Sequence, residues 1–309
     1  MSQPVVYVAL HQFCESDSRP RQRLLEAGFD VRANTSGRRP KREELLTALQ
    51  HADAVLAGVE PYDGELLAQL PRLRCISRCG VGTDAIDLQA TERLKIAVLT
   101  TPEEVIAPVA EMTLAMMLAL ARNLPWHQAQ MREGRWSKRS GHLLAEWTIG
   151  LIGFGRIGRA VERLLRPFSC RVLVADPAAS QANVPPGVQV VPLADVLGQA
   201  DLVSLHVSRP QADGPLLAAR ELGLMKPGSV LVNTARGFLV DERALLETLT
   251  AGRLAGAAVD VFDVEPYTGP LARLPNVLCT PHVGSSTVAS RAAMELRCAE
   301  QIVEQLSQS

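Results

Sequence analysis

His282 lies in "TPHVGSST" (residues 280–287) with no acid or nucleophile beside it. Residue types that would complete a site lie upstream: "DVFDVEP" supplies Asp260, Asp263 and Glu265, and "NTARG" supplies Arg236. A carboxylate hydrogen-bonded to one ring nitrogen of a histidine fixes its tautomer and favours the charged ring, which suits proton transfer near neutral pH. A guanidinium can grip a carboxylate with two parallel hydrogen bonds. Arg236, one of Asp260, Asp263 and Glu265, and His282 therefore fit the binding of a small 2-oxo or 2-hydroxy acid and the movement of a proton at its oxygen. Each also has a plainer reading alone: Arg236 as an exposed loop cap, the acids as surface groups before Pro266, His282 as a loop histidine. Metal ligation is poorly supported, because no second His or Cys stands near His282 at ligand spacing.

"LIGFGRIGRA" adds a second chemistry. Gly153, Gly155 and Gly158 form a G-x-G-x-x-G directly after an apolar run and at the head of a helical pattern. The first glycine permits a tight turn, the second lets backbone approach a pyrophosphate, and the third allows close helix–strand packing. The helix amino terminus would offer free N–H groups to the phosphates. The next apolar run, "RVLVADP", ends at Asp176, near the position expected for a ribose-binding acid. A carboxylate there accepts from the ribose hydroxyls and repels a 2′-phosphate, so NAD is favoured over NADP. A strand-end aspartate capping a loop is the plainer alternative.

The elements that must carry these groups alternate. Apolar runs at 5–10, 53–59 and 73–80, a short run at "DVRAN", and helical patterns between them predict βα units with a parallel sheet. A long helical stretch, 105–134, follows. Six further strands are predicted at 148–155, 170–177, 201–207, 229–236, 255–262 and 276–283, with helices in the gaps, which fits a doubly wound sheet. The segment 286–306 reads as a helix that folds back on the first unit.

Bulk properties narrow the field. The 309 residues are 47% hydrophobic and 21% charged, enough to bury a sizeable core, with only 4% aromatic. A net charge of −1 gives no electrostatic case for nucleic acid or an anionic membrane. The cluster Arg38, Arg39, Lys41 and Arg42 reads as a solvated helix start. The six cysteines form no C-x-x-C pair, so free thiols in a reducing cytoplasm are expected. The longest apolar run, 112–121, is too short to cross a bilayer.

Together "RCGVGTDAIDL", "GLIGFGRIGRAV", "LMKPGSVLVNTARGFLVDERAL", "GAAVDVFDVEP" and "TPHVGSST" resemble the D-isomer-specific 2-hydroxyacid dehydrogenases over nearly the whole chain. The likeness is strongest to phosphoglycerate dehydrogenase-like members without a C-terminal regulatory domain. The resemblance implies an α/β fold of two domains. A central Rossmann, NAD-binding domain (103–283) would join a flavodoxin-like substrate domain built from both chain ends (1–102 and 284–309). It implies an NAD-dependent oxidoreductase in which Arg236 binds the substrate carboxylate, His282 is the acid/base and Glu265 orients it. The backbone of Val81 and Gly82 would hold the carboxylate, with Arg78 nearby. Asp176 would hold the ribose and Asp260 the nicotinamide amide. Gly153, Gly155, Arg156, Ile157, Gly158, His206, Thr234, Ala235 and Gly284 would complete the cofactor contacts. The resemblance also implies a homodimer through 105–147. Where phosphoglycerate dehydrogenases carry an arginine–serine pair, this chain reads Val59-Glu60, which argues for an unphosphorylated substrate. The alternatives are a phosphoglycerate dehydrogenase proper and a non-catalytic NAD(H)-sensing protein of the same fold.

Overall fold

The structure is a computed structural model, and it describes residues 3–208 and 214–307. The chain forms two compact units, Met1–Val105 with Ser285–Ser309, and Ile106–Gly284.

The first unit begins with β1 (Val5–Val8), α1 (Arg19–Glu26), β2 (Asp30–Ala33), α2 (Arg42–Leu49) and β3 (Ala54–Ala57). It continues through α3 (Gly64–Leu67), β4 (Cys75–Arg78), α4 (Leu88–Arg93) and β5 (Ala97–Thr100). The sheet is parallel throughout, in the order β2-β1-β3-β4-β5, which is the flavodoxin-like winding. Local chemistry starts the short helices: Asp63 and Asp87 each cap one by accepting an N–H three residues on. The sequence reading had four strands here. β5 is the addition, a four-residue run just behind α4 in "LKIAVLT". The basic cluster is a charged surface, with Arg38 paired to Glu44 and Arg42 to Asp63 and Glu65.

The second unit opens with α5 (Ile106–Ala121) and α6 (Leu124–Arg132). The single long helix expected over 105–134 is broken, because Asn123 adopts a left-handed conformation (φ 53°) and Pro125 follows in the next first turn. Then come β6 (Thr148–Ile152), α7 (Arg156–Leu165), β7 (Arg171–Ala175), β8 (Val188–Val190), α8 (Leu193–Gln199) and β9 (Leu202–Leu205). α9 (Ala219–Leu224), β10 (Val230–Asn233), α10 (Glu242–Thr250), β11 (Gly256–Val259) and β12 (Val277–Cys279) complete the unit. All seven strands are parallel, in the order β12-β11-β10-β9-β6-β7-β8. The order reverses at β6 and β9, where ligands of such sheets bind. Six strands were expected; β8 is the addition, a three-residue edge strand set between Pro186-Gly187 and Pro192.

Alternation along these strands builds two cores, one on each face. Ile149, Leu151, Val172 and Val174 face Met116 and Met117 of α5 and Val161 and Leu165 of α7. Ile152, Leu173, Val203 and Leu231 face the residues of α8, α9 and α10. The last helix, α11 (Val288–Ser307), belongs to the first unit, where it packs on α1, β3 and β4.

Gly150 in β6 lies under α8, and a Cβ there would overlap the Val196 side chain. Gly150→Val should therefore cost about 1–3 kcal/mol, read from the urea midpoint. Gly198→Ala, at a helical position facing open space, should be neutral or stabilising. Equal midpoints for Gly150→Val and the wild type would show that this helix–strand contact is not close-packed.

Candidate active site

The carboxyl edge of the second sheet collects Arg236, Glu265 and His282. Arg236 stands three residues past β10, Glu265 lies in the turn after β11, and His282 lies in the turn after β12. His282 Nδ1 is 2.9 Å from Glu265 Oε2, with both side chains partly exposed. With a carboxylate accepting at Nδ1, the ring is a donor there, and Nε2 is left to hold or release a proton. The other Glu265 oxygen, Oε1, accepts from the Phe262 N–H at 3.0 Å. Burial works against the Glu265 carboxylate. The His282 and Phe262 hydrogen bonds and the charges of His282 and Arg236 outweigh it and hold its pKa below the usual glutamate value. The turn bearing Glu265 is braced by Glu242, which accepts from the Asp263 N–H, and by the stacked rings of Phe262 and Tyr267, 3.9 Å apart.

The turn bearing His282 hangs on Asp260, which is 1% exposed. Asp260 Oδ1 accepts from the Thr280 hydroxyl at 2.5 Å and the Val283 N–H at 2.9 Å. Oδ2 accepts from the Gly284 N–H at 2.8 Å. The Asp260 carbonyl accepts from the His282 N–H at 2.8 Å. His282 is thereby held at φ 53°, a conformation few non-glycine residues adopt. Asp260 and Gly284, read from the sequence as cofactor contacts, are thus first of all the anchors of this turn.

The glycine turn lies between β6 and α7 of the same sheet. Gly153 has φ 95°, and a Cβ on it would overlap the His206 backbone; a Cβ on Gly158 would overlap the Gly153 carbonyl. Gly155 faces open space at the amino end of the ten-residue α7, and Arg156 beside it is exposed. Room at the second glycine and at the helix end fits a dinucleotide pyrophosphate. Asp176, just past β7, accepts from the Phe154 N–H at 2.6 Å and the Ala178 N–H at 2.7 Å, which ties the turn to the next strand. Its oxygens keep further lone pairs for ribose hydroxyls. Ile157 lies in the first turn of α7. Thr234 shares a buried hydroxyl bond with Thr113 of α5 at 2.8 Å, and the Ala235 N–H is donated to Asn233. His206 closes the far side of the glycine turn. Its Nε2 is 3.0 Å from the Ser204 hydroxyl, its buried Nδ1 has no partner among the described residues, and burial lowers its pKa to about 4.

In the first unit, Gly80 (φ 134°) turns the chain after β4, and Thr101 holds it through both backbone and hydroxyl. The Arg78 guanidinium folds onto this turn and donates to the Cys79 carbonyl; Val81 is exposed and Gly82 half-buried. Glu60, read from the sequence as an acid in the substrate loop, is turned away from solvent. It is buried, and its Oε2 accepts from the Gly58 N–H at 2.7 Å, while Arg39 donates to the Val59 carbonyl. All six cysteines are free thiols. Among the described residues no helix is long and apolar enough to cross a membrane, and no group of three acidic, His or Cys side chains is placed to hold a metal.

His206 gives a pH dependence whose sign is fixed. Its value in the fold lies below the ordinary 6.5, so the unfolded chain takes up the proton first as pH falls. The stability it contributes is fully present above 6.5 and is lost as pH falls from there towards 4. His206→Asn should flatten the fall of Tm across that window, measured by thermal melts at matched ionic strength. Parallel curves for the two proteins would contradict the assignment.

Residues 114–284 match the family model described as D-isomer specific 2-hydroxyacid dehydrogenase, NAD binding domain. The chain is 37% identical over 283 residues to a glyoxylate reductase of Pyrococcus furiosus, covering 88% of this chain and 84% of that protein. It is 37% identical over 257 residues to a D-3-phosphoglycerate dehydrogenase of Mycobacterium tuberculosis, covering 82% of this chain and 49% of that one. The chain thus spans about half the length of the mycobacterial relatives it matches. Among solved structures, a Thermus thermophilus protein superposes with a TM-score of 0.88 at 33% identity, covering 98% of this chain and 97% of the other. By domain model, by relatives matched over most of both chains and by fold, this chain belongs to the D-isomer-specific 2-hydroxyacid dehydrogenase family.

Proposed function

We propose that this protein is an NAD-dependent D-2-hydroxyacid dehydrogenase working as a reductase of small, unphosphorylated 2-oxo acids. The observation that carries this reading is the 2.9 Å contact between His282 and Glu265 on the sheet edge that also bears Arg236 and the open glycine turn. The pyrophosphate is assigned to the amides of Gly155, Arg156 and Ile157, the adenosine ribose to Asp176, and the carboxamide to the neighbourhood of Asp260, Thr234 and Ala235. When bound, the reduced nicotinamide supplies the hydride that C2 of the 2-oxo acid takes up. Arg236 grips the substrate carboxylate and polarises the C2 oxygen. His282, protonated and paired with Glu265, gives its Nε2 proton to that oxygen. In the reverse direction His282 starts neutral and takes the hydroxyl proton. The buried Glu60 and exposed Val59 leave the 57–61 loop without a cation of its own, which supports an unphosphorylated substrate.

The proposed assembly is a homodimer through 105–147. Its support is an arm, residues 131–143, exposed along its whole length, with Leu124, Met131, Trp136 and Leu143 open to solvent. The segment is not loose: Asn123 donates to the Ser140 carbonyl, and the His142 N–H is donated to the Ala121 carbonyl. An ordered, exposed arm that carries the large apolar side chains Met131, Trp136 and Leu143 fits burial by a second copy.

The test is NADH oxidation with glyoxylate, hydroxypyruvate, 2-oxoglutarate and phosphohydroxypyruvate. Turnover is expected with unphosphorylated acids, and His282→Ala should lower kcat at least about a hundredfold with NADH affinity little changed. Asp176→Ala should raise the KM for NADH and improve use of NADPH. Wild-type turnover in His282→Ala, or none in the wild type with any acid, would refute the reading. Sedimentation velocity should give a dimer that Trp136→Glu weakens, and a monomeric wild type would exclude the assembly.

A further inference from the structure

One polar side chain next to the proposed carboxylate clamp is more deeply buried than any member of the clamp. Asn233, the last residue of β10, is 1% exposed. Its carboxamide is spent on the turn that follows: Oδ1 accepts from the Ala235 N–H at 3.1 Å, and Nδ2 donates to the Arg236 carbonyl at 2.9 Å. These bonds bracket Ala235 and Arg236, two residues that leave the sheet ladder and would otherwise have polar backbone groups without partners. A single planar group supplies both the donor and the acceptor. Asp has the same shape but only acceptors, and Leu has neither.

The next residue closes the other side. Gly237 lies flush against the Phe262–Asp263 peptide, where a Cβ would overlap the Phe262 carbonyl. The backbone of Arg236 (φ −146°, ψ 143°) is thus held between the Asn233 carboxamide and that peptide, and its Nη1 donates back to the Ala235 carbonyl at 2.7 Å. The side chain leaves from a fixed Cα in a direction set by the turn.

We propose that Asn233 is a positioning residue, which sets the direction in which Arg236 presents its guanidinium to the substrate carboxylate. This rests on the reading of Arg236 as the carboxylate clamp. Asn233 touches no reacting atom and acts on the substrate carboxylate through Arg236, so its effect on the 2-oxo acid depends on the guanidinium being present.

Asn233→Asp keeps the acceptor for Ala235 and sets a lone pair against the Arg236 carbonyl. Asn233→Ser is the smaller, neutral variant to read if the first does not fold. Each is compared with Arg236→Lys and with the double variant, using NADH and the best 2-oxo acid of the panel. Asn233→Asp should lower kcat/KM for the 2-oxo acid about ten- to a hundredfold, mainly through KM. NADH affinity by fluorescence titration and the pH profile of kcat should stay as in the wild type, since the His282–Glu265 pair is untouched. In the Arg236→Lys background most of the Asn233 effect should vanish. An Asn233 variant with wild-type kcat/KM, or with the same loss in both backgrounds, overturns the proposal, the second result marking a merely structural role. If Arg236→Lys itself retains wild-type kcat/KM, the carboxylate-clamp reading fails, and the proposal with it.

Discussion

A single buried carboxylate governs the geometry of the candidate active site. Asp260 ends up almost without solvent, where an unpaired charge would cost several kcal/mol. Every side-chain bond it makes goes to the turn between Thr280 and Gly284, and its own carbonyl takes the His282 N–H. Charge and turn therefore stabilise each other. The turn cannot relax without stranding the carboxylate, and so His282 keeps a backbone conformation it would not choose alone. In that conformation its Nδ1 lies 2.9 Å from Glu265 Oε2.

The same device recurs along the edge of the sheet. A parallel sheet brings the ends of its strands and the following turns to one side, and those turns carry unpaired backbone groups. Asp176 after β7 takes amides from the glycine turn and from its own loop. Asn233 at the end of β10 takes both polar groups of the Arg236 turn. Asp260 after β11 takes the His282 turn. Each is a polar residue closing an apolar strand, and each fixes a neighbouring chemistry-bearing loop. Rigidity at this edge is thus built from side chain to backbone, with little contribution from contacts among the chemistry-bearing side chains themselves.

Much of this was legible in the sequence. The aliphatic runs alternating with helical patterns implied two parallel sheets, and the motifs implied the family, because each polar cluster closes an apolar run. The contact between Glu265 and His282 could be expected from their types, but its geometry could not, since it depends on how two separate turns approach. Asn233 was hidden in plain view: one polar residue ending "VLVN" reads as the end of a strand, and its partners are backbone groups that no motif displays. Glu60 misled for a related reason, because charge is visible in sequence and direction is not. The break at Asn123 was signalled by an Asn and a Pro in "ARNLP", but apolar spacing on both sides masked it. β5 and β8 escaped because of their surroundings: β5 follows the charged helical run "TERLK" closely, and β8 is a "VQV" set between Pro186-Gly187 and Pro192.

The most direct measurement follows the hydride. NADH carrying deuterium at both C4 positions is mixed with the protein and hydroxypyruvate, and the product is read by NMR and chiral chromatography. The expected product is the D-2-hydroxy acid with deuterium at C2. A reduced product with no deuterium at C2, or of the opposite configuration, would contradict direct transfer in the site built on Arg236, Glu265 and His282.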